Sequence, residues 1–289
     1  MQRLKQVLSL ILIVSFLPGC ASVSESSFEN DAGFGNQEGP GLSRRDHKEI
    51  QAGEEIHREI ISSFSVYTEP NANAYVKEIT RMIGKVSNRP GLPYECTILF
   101  SDKIYSTSAP GGHVYITTGF INILDNESEL ASVIAHEVAQ VQYQTPKYSD
   151  AKKALQAAET VAGIAGGFFG GIGMVTFLGI ATLNAMTDEK TVQQRIVLAD
   201  RKALAYMVKA GYDPQGYVDV LYKIIYADAS LMPYLIDYYN SRPVNATRIN
   251  QVNKMFKVLK LENKNFDTHR EKFIHVMTGV KQLYQAPPQ

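Results

Sequence analysis

The chain has 289 residues, with 29 acidic and 29 basic side chains and a formal net charge of zero. No basic cluster stands out, which excludes the electrostatic footprint of a nucleic-acid-binding protein. Two cysteines exclude a disulfide-stapled scaffold, and the chain is long enough for one large domain with its own core.

The N-terminus reads Met1-Gln2-Arg3-Leu4-Lys5, then an apolar run from Val7 to Leu17, then Pro18-Gly19-Cys20. A basic start, a short apolar core and small residues before a cut site make a secretory signal. Its end, Leu17-Pro18-Gly19-Cys20, resembles a bacterial lipobox, which is cut before the Cys so that its thiol receives a diacylglycerol. An ordinary signal peptide with a chance cysteine and a single anchor helix are the alternatives. The run is short for a spanning helix, which needs about 20 residues. The expectation is a signal over residues 1–19 and lipidation at Cys20. Ala21 rather than Asp follows the cysteine, which by the sorting rule for such lipoproteins points to the outer membrane, periplasmic face. With Cys20 lipidated, Cys96 stands alone and reads as a buried, inert thiol within the strand-like run Tyr94–Phe100.

Residues 20–43 are rich in Ser, Gly, Asn and Glu and read as a flexible tether to a domain over residues 44–289. From Arg44, Ile50, Ile56, Ile60 and Ile61 recur at helical spacing through Phe64; Asn71–Val86 repeats the pattern, and Pro90-Gly91-Leu92-Pro93 breaks it. A strand is predicted over Tyr94–Phe100, then a polar turn, then a second strand over His113, Val114, Tyr115, Ile116 and Thr117 after Pro110-Gly111-Gly112. Asp125 or Asn126 caps the next helix, with Glu127 and Glu129 in its first turn, and that helix runs to about Gln144. Residues 160–187 hold no charge and many glycines; a transmembrane helix with a small-residue face is one reading, and a Gly-rich helical hairpin over the core or in the lipid surface is the preferred one. A helix around Val192–Ala210, a stop at Gly211-Tyr212-Asp213, a helix started by Pro214, and a further helix over Arg248–Leu261 complete the pattern. The fold class is α+β, mainly α, with a small sheet.

The segment with chemistry is His136-Glu137-Val138-Ala139-Gln140. The motif H-E-x-x-H on a helix aims two imidazoles at one Zn²⁺ and uses the Glu as general base. Here the second His is Gln140, whose neutral amide is a poor zinc ligand.

Several segments together resemble the HtpX-like and CaaX-prenyl-protease-type zinc metallopeptidases, a gluzincin family, and especially its periplasmic lipoprotein branch. They are Ala109-Pro110-Gly111-Gly112-His113-Val114-Tyr115-Ile116-Thr117-Thr118-Gly119, Asn126 to Ala139, Ala199-Asp200-Arg201 and Ala210-Gly211-Tyr212-Asp213-Pro214. The resemblance implies a zincin-like fold whose sheet has an edge strand bordering the active-site cleft, with His113–Thr117 as the peptide-binding edge. It implies His136 as a metal ligand, Glu137 as the base and Asp200 as the carboxylate that orients His136. It also implies a third ligand, a Glu four residues before Asp200, where this chain has Ile196. A His that stabilises reaction intermediates is expected where Arg242-Pro243 stands, and Tyr105-Ser106-Thr107-Ser108 replaces the family's Asn-Ala-Phe-Ala.

A catalytic zinc takes three protein ligands and a water, and this sequence keeps only His136. Glu137 is then a vestigial base, because its task depends on a metal-bound water. Substitute ligands are few: His113, whose direction is open; Asp188 and Glu189, about two turns or ~11 Å from Ile196 if the helix is continuous; and His47, His57, His269 and His275, which lack motif context. The expectation is a pseudoprotease without a cofactor that binds or regulates envelope proteins, including an active relative. The alternative is an active zinc metalloendopeptidase of envelope quality control with a rearranged site. A structural role in membrane attachment through residues 160–187 is a third reading.

Overall fold

The computed structural model describes residues 41–142, 189–227, 230–235, 244, 246–258 and 266–284. The signal, most of the tether, the Gly-rich stretch at 160–187, Cys20 and Arg242 lie outside the described residues. Among the described residues no helix is long and apolar enough to cross a membrane.

Helix α1 (Arg44–Ser63) starts in a capping box: the Ser43 hydroxyl accepts from the Asp46 backbone N–H, and the Asp46 carboxylate accepts from the Ser43 N–H at 2.8 Å. Helix α2 (Pro70–Lys85) has Pro at its first position and Glu69 as its cap. Strand β1 (Glu95–Leu99) follows, then β2 (Ser106–Ala109), a 3-10 turn over Pro110–Gly112, and β3 (His113–Thr117). Helices α3 (Thr118–Ile123), α4 (Glu127–Val141), α5 (Glu189–Ala210), α6 (Gln215–Ile225), α7 (Ala246–Val258) and α8 (Arg270–Gln282) complete the described elements.

The sheet runs β1-β3-β2, with β1 parallel to β3 and β2 antiparallel to it. The antiparallel pair turns through Gly111 (φ 81°) and Gly112 (φ 101°), a left-handed backbone that glycine adopts without the penalty of a Cβ. This order corrects one expectation. His113–Thr117 is the central strand, with both edges hydrogen-bonded, and β2 is the edge strand beside α4. The reason lies in β2 itself: Ser-Thr-Ser-Ala shows no apolar alternation, so it reads as a turn, yet all four residues are buried and paired.

Register fixes the two faces of the sheet. Leu99, Ala109 and Tyr115 face α1 and pack with its Ile60 and Phe64. Ser106 and Ser108, opposite Ile116 and Val114, face the other way, toward α4. Helix α4 is buried at every residue, enclosed by β2, α2, α5 and α6. A helix buried all round must find partners for its polar groups. Glu127 accepts from Tyr75 Oη at 2.5 Å, Glu129 pairs with Lys223 at 2.6 Å, and Ser132 donates to the Glu129 carbonyl. Asn126 is the cap, accepting from the Glu129 N–H at 2.9 Å. Replacing it (Asn126→Ala) is expected to destabilise the protein by about 1 kcal/mol, read from urea melts.

Candidate active site

Four helices meet at one histidine. Helix α4 supplies His136 and, one turn later, Gln140; α5 supplies Asp200, α6 supplies Tyr217 and α7 supplies Arg248. All five side chains are buried. The Arg248 guanidinium grips Asp200 with two bonds of 2.7 Å, from Nε to Oδ2 and from Nη2 to Oδ1. The Tyr217 hydroxyl donates to Asp200 Oδ1 at 2.5 Å. His136 Nδ1 lies 3.1 Å from the same oxygen and 2.7 Å from the Tyr217 hydroxyl.

Burial alone raises the pKa of Asp200, but the Arg248 charge and the His136 hydrogen bond outweigh it and hold the carboxyl well below its usual range. An ionised carboxylate only accepts, so the proton on the imidazole sits at Nδ1 and is shared between Asp200 and the tyrosine oxygen. In the neutral form of the ring this places the lone pair at Nε2. There the Gln140 amide nitrogen stands at 3.2 Å, placed to donate into it. The nitrogen that would bind a metal is thus engaged by a hydrogen bond from the residue that replaces the second ligand.

Ile196 is four residues before Asp200 on the continuous helix α5, one turn away on the same face, and is buried. Glu189 starts that same helix, about 11 Å along the axis from Ile196, and Asp188 is outside the described residues. His113 faces α1, with its ring stacked on His57, and so does not reach His136. The three positions where the family places ligands are therefore held by one imidazole, one amide and one aliphatic side chain, where a catalytic zinc needs three ligands. This set does not fit the ion.

Glu137 points the other way, to the sheet. Ser106 Oγ donates to Oε1 at 2.7 Å and Ser108 Oγ to Oε2 at 3.3 Å. These two serines were visible in the sequence only as a departure from a motif. Their i, i+2 spacing puts both hydroxyls on one strand face, and that spacing was the signal for their role. Tyr217 and Arg248 were missed because nothing local in their helices marks them; only the packing of α6 on α4 and of α7 on α5 does. Ser106→Ala removes the shorter bond to a buried carboxylate and is expected to destabilise the protein by about 1.5–3 kcal/mol. The same change in a Glu137→Gln background should cost less, which a double-mutant cycle of melts reads directly.

The fold and the retained His136-Glu137 with Asp200 define a zinc-metallopeptidase architecture. The model of peptidase family M48 matches residues 70–256, and the chain belongs to that family. The beta-barrel assembly-enhancing protease of Escherichia coli (strain K12) is 24% identical over 183 residues, 62% of this chain and 38% of that protein. A Vibrio cholerae relative, described provisionally in the same words, is 28% identical over 173 residues, 57% of this chain and 35% of its own length. The beta-barrel assembly-enhancing protease of Yersinia pestis is 24% identical over 185 residues. The chain thus spans under two-fifths of the length of these curated relatives.

Proposed function

We propose that this chain is an inactive peptidase: a family M48 fold kept as a binding or regulatory module for proteins of the bacterial envelope, anchored by lipid on Cys20 at the periplasmic face of the outer membrane. One observation carries the reading. The Gln140 amide stands 3.2 Å from His136 Nε2 where the family has a second histidine, and an isoleucine occupies the third ligand position. The names of the relatives support a client class of envelope proteins, outer-membrane β-barrels among them. Strand β2, at one side of the three-stranded sheet, is the element we assign to take an extended peptide by backbone hydrogen bonds. Such binding requires no metal. The lipid anchor and the outer-membrane location rest on the Leu17–Cys20 signal and Ala21.

The second reading, an active zinc endopeptidase with a rearranged site, is favoured by one fact: His136, Asp200 and Glu137 all keep tight polar partners rather than drifting apart. Glu137→Gln separates the two. Chelator-sensitive casein cleavage by the purified chain, abolished by Glu137→Gln, would establish the active enzyme. No cleavage by either form, with client capture unchanged between them, is the result expected of the inactive one.

A further inference from the structure

On the face of the sheet away from His136, five titratable side chains come together at the seam between α1 and β3. The rings of His57 and His113 stack at 4.7 Å between centroids and 9° between planes. His57 Nδ1 lies 3.0 Å from the Tyr115 hydroxyl. His113 Nε2 is buried without a hydrogen bond, and its nearest acceptor is Glu54 Oε1 at 3.5 Å, on a half-exposed side chain. Glu95 sits beside His113 in the β1–β3 register and is paired on its outer side with Lys77. Parallel stacked rings aim their in-plane lone pairs along parallel lines, not at one point, so the pair is not shaped to share a metal ion.

We propose that the stacked His57–His113 pair is an acid-sensitive latch that releases the C-terminal half of α1 and uncovers the apolar patch of Leu99, Ala109 and Tyr115 beneath it. A charge on His113 would be buried against the His57 ring, with Glu54 at 3.5 Å as its ion-pair partner. Burial, and then the charge of His57, disfavour protonated His113; Glu54 and Glu95 act in the opposite direction but do not prevail, so its pKa is lowered. A histidine with a depressed folded-state pKa contributes stability that is present above its unfolded value of about 6.5 and lost as pH falls through the folded one. The seam therefore weakens on mild acidification.

The N-terminal half of the helix is held by carboxylates and an arginine rather than by histidines. Arg89 bonds Glu49 at 3.0 and 2.7 Å and Asp46 at 2.6 Å, and Glu49 also accepts from the Gly111 N–H. The Asp46 pKa is lowered to about 2, chiefly by the Ser43 hydroxyl. Between the two halves lies Gly53, where an added Cβ would stand 2.1 Å from the Pro110 carbonyl oxygen. The helix is thus fixed at Asp46–Gly53 by ion pairs and hydrogen bonds that involve no histidine, and latched by histidine beyond it. Opening peels Ile60 and Phe64 from the back of the sheet whose other face holds Glu137.

Hydrogen exchange on the full-length protein, corrected for the pH dependence of intrinsic rates, tests this. Between about pH 8 and about pH 5, residues 56–63 should lose protection, in the direction set by the lowered pKa of His113. Residues 46–53 and α4 should keep theirs. His113→Gln should show nearly the same protection at both pH values. Unchanged protection of residues 56–63 in the wild type, or an equal loss in His113→Gln, overturns the latch. If that variant does not fold, histidine ring signals in the wild type decide: titration in step with helix opening supports the latch, and titration with the helix still closed overturns it.

Discussion

A chain carrying both Gln140→His and Ile196→Glu is expected to bind zinc with about one equivalent per protein, where the parent does not. The reason is geometric. His136 is already oriented, because Asp200 and the Tyr217 hydroxyl engage its Nδ1 and leave Nε2 facing position 140. Position 140 is one helical turn from His136, and position 196 one turn from Asp200, so both new side chains start on the correct faces. Each single change should bind far more weakly, since it completes only two of three ligands. Adding Asp200→Asn to the double variant should lower zinc affinity by roughly 10–100-fold, because the orienting carboxylate is lost while the ligands remain. Equilibrium dialysis against a zinc buffer measures each step. A folded double variant that binds no metal would show that the helices have moved apart by more than these two positions reveal.

The largest stability effect is expected at Arg248. Asp200 and Arg248 form a buried, two-bond ion pair at the junction of α5 and α7. Arg248→Met leaves the carboxylate in the interior without its guanidinium, and removal of one partner of a buried pair costs about 3–5 kcal/mol. Combining it with Asp200→Asn should recover a substantial part of that loss, because no buried charge remains unbalanced. The pH dependence carries the same signature. The folded-state pKa of Asp200 lies below the unfolded value of about 3.9, so its contribution is present above that pH and disappears as pH falls toward the folded value. In Arg248→Met the folded-state pKa of Asp200 rises, so the loss of stability on acidification that this group contributes should shrink. Urea melts between about pH 3 and about pH 7 show both effects. Loss of less than about 1 kcal/mol in Arg248→Met would mean that the pair does not hold the helices together.

Much of the architecture was legible because it follows from periodicity and punctuation. Helix α1 begins where the pattern turns helical at Arg44, Asn126 caps α4, Gly211 and Pro214 separate α5 from α6, and β3 covers His113–Thr117 as its apolar alternation demands. The elements that escaped notice are those whose residues lack a pattern of their own. Strand β2 is three hydroxyl residues and an alanine, made a strand by its pairing with β3 and by Glu137, which satisfies two of the hydroxyls. Helix α3 is a single short stretch after Thr117, whose side chain caps it. The sheet order was equally out of reach: sequence neighbours suggest which strands pair, not which one lies in the middle.

The site divides the same way. The H-E-x-x-H motif located His136, Glu137 and Gln140 by their helical spacing, and the family resemblance located Ile196 and Asp200. Tyr217 and Arg248 reach His136 and Asp200 from 81 and 48 residues away, and such distances leave no local trace. The direction of His113 was also undecidable from the strand alone. Its register places it beside Glu95 and on the α1 face, which removes it from the group of candidate ligands and gives it a different chemistry.

The central claim is that the donors around His136 are too few to hold a divalent cation. The direct measurement is the metal content of the purified wild-type chain after dialysis against a zinc-buffered solution at neutral pH, by elemental mass spectrometry. Zinc at well below about 0.1 equivalent per chain is the expected result. About one equivalent, displaced by His136→Ala, would contradict it.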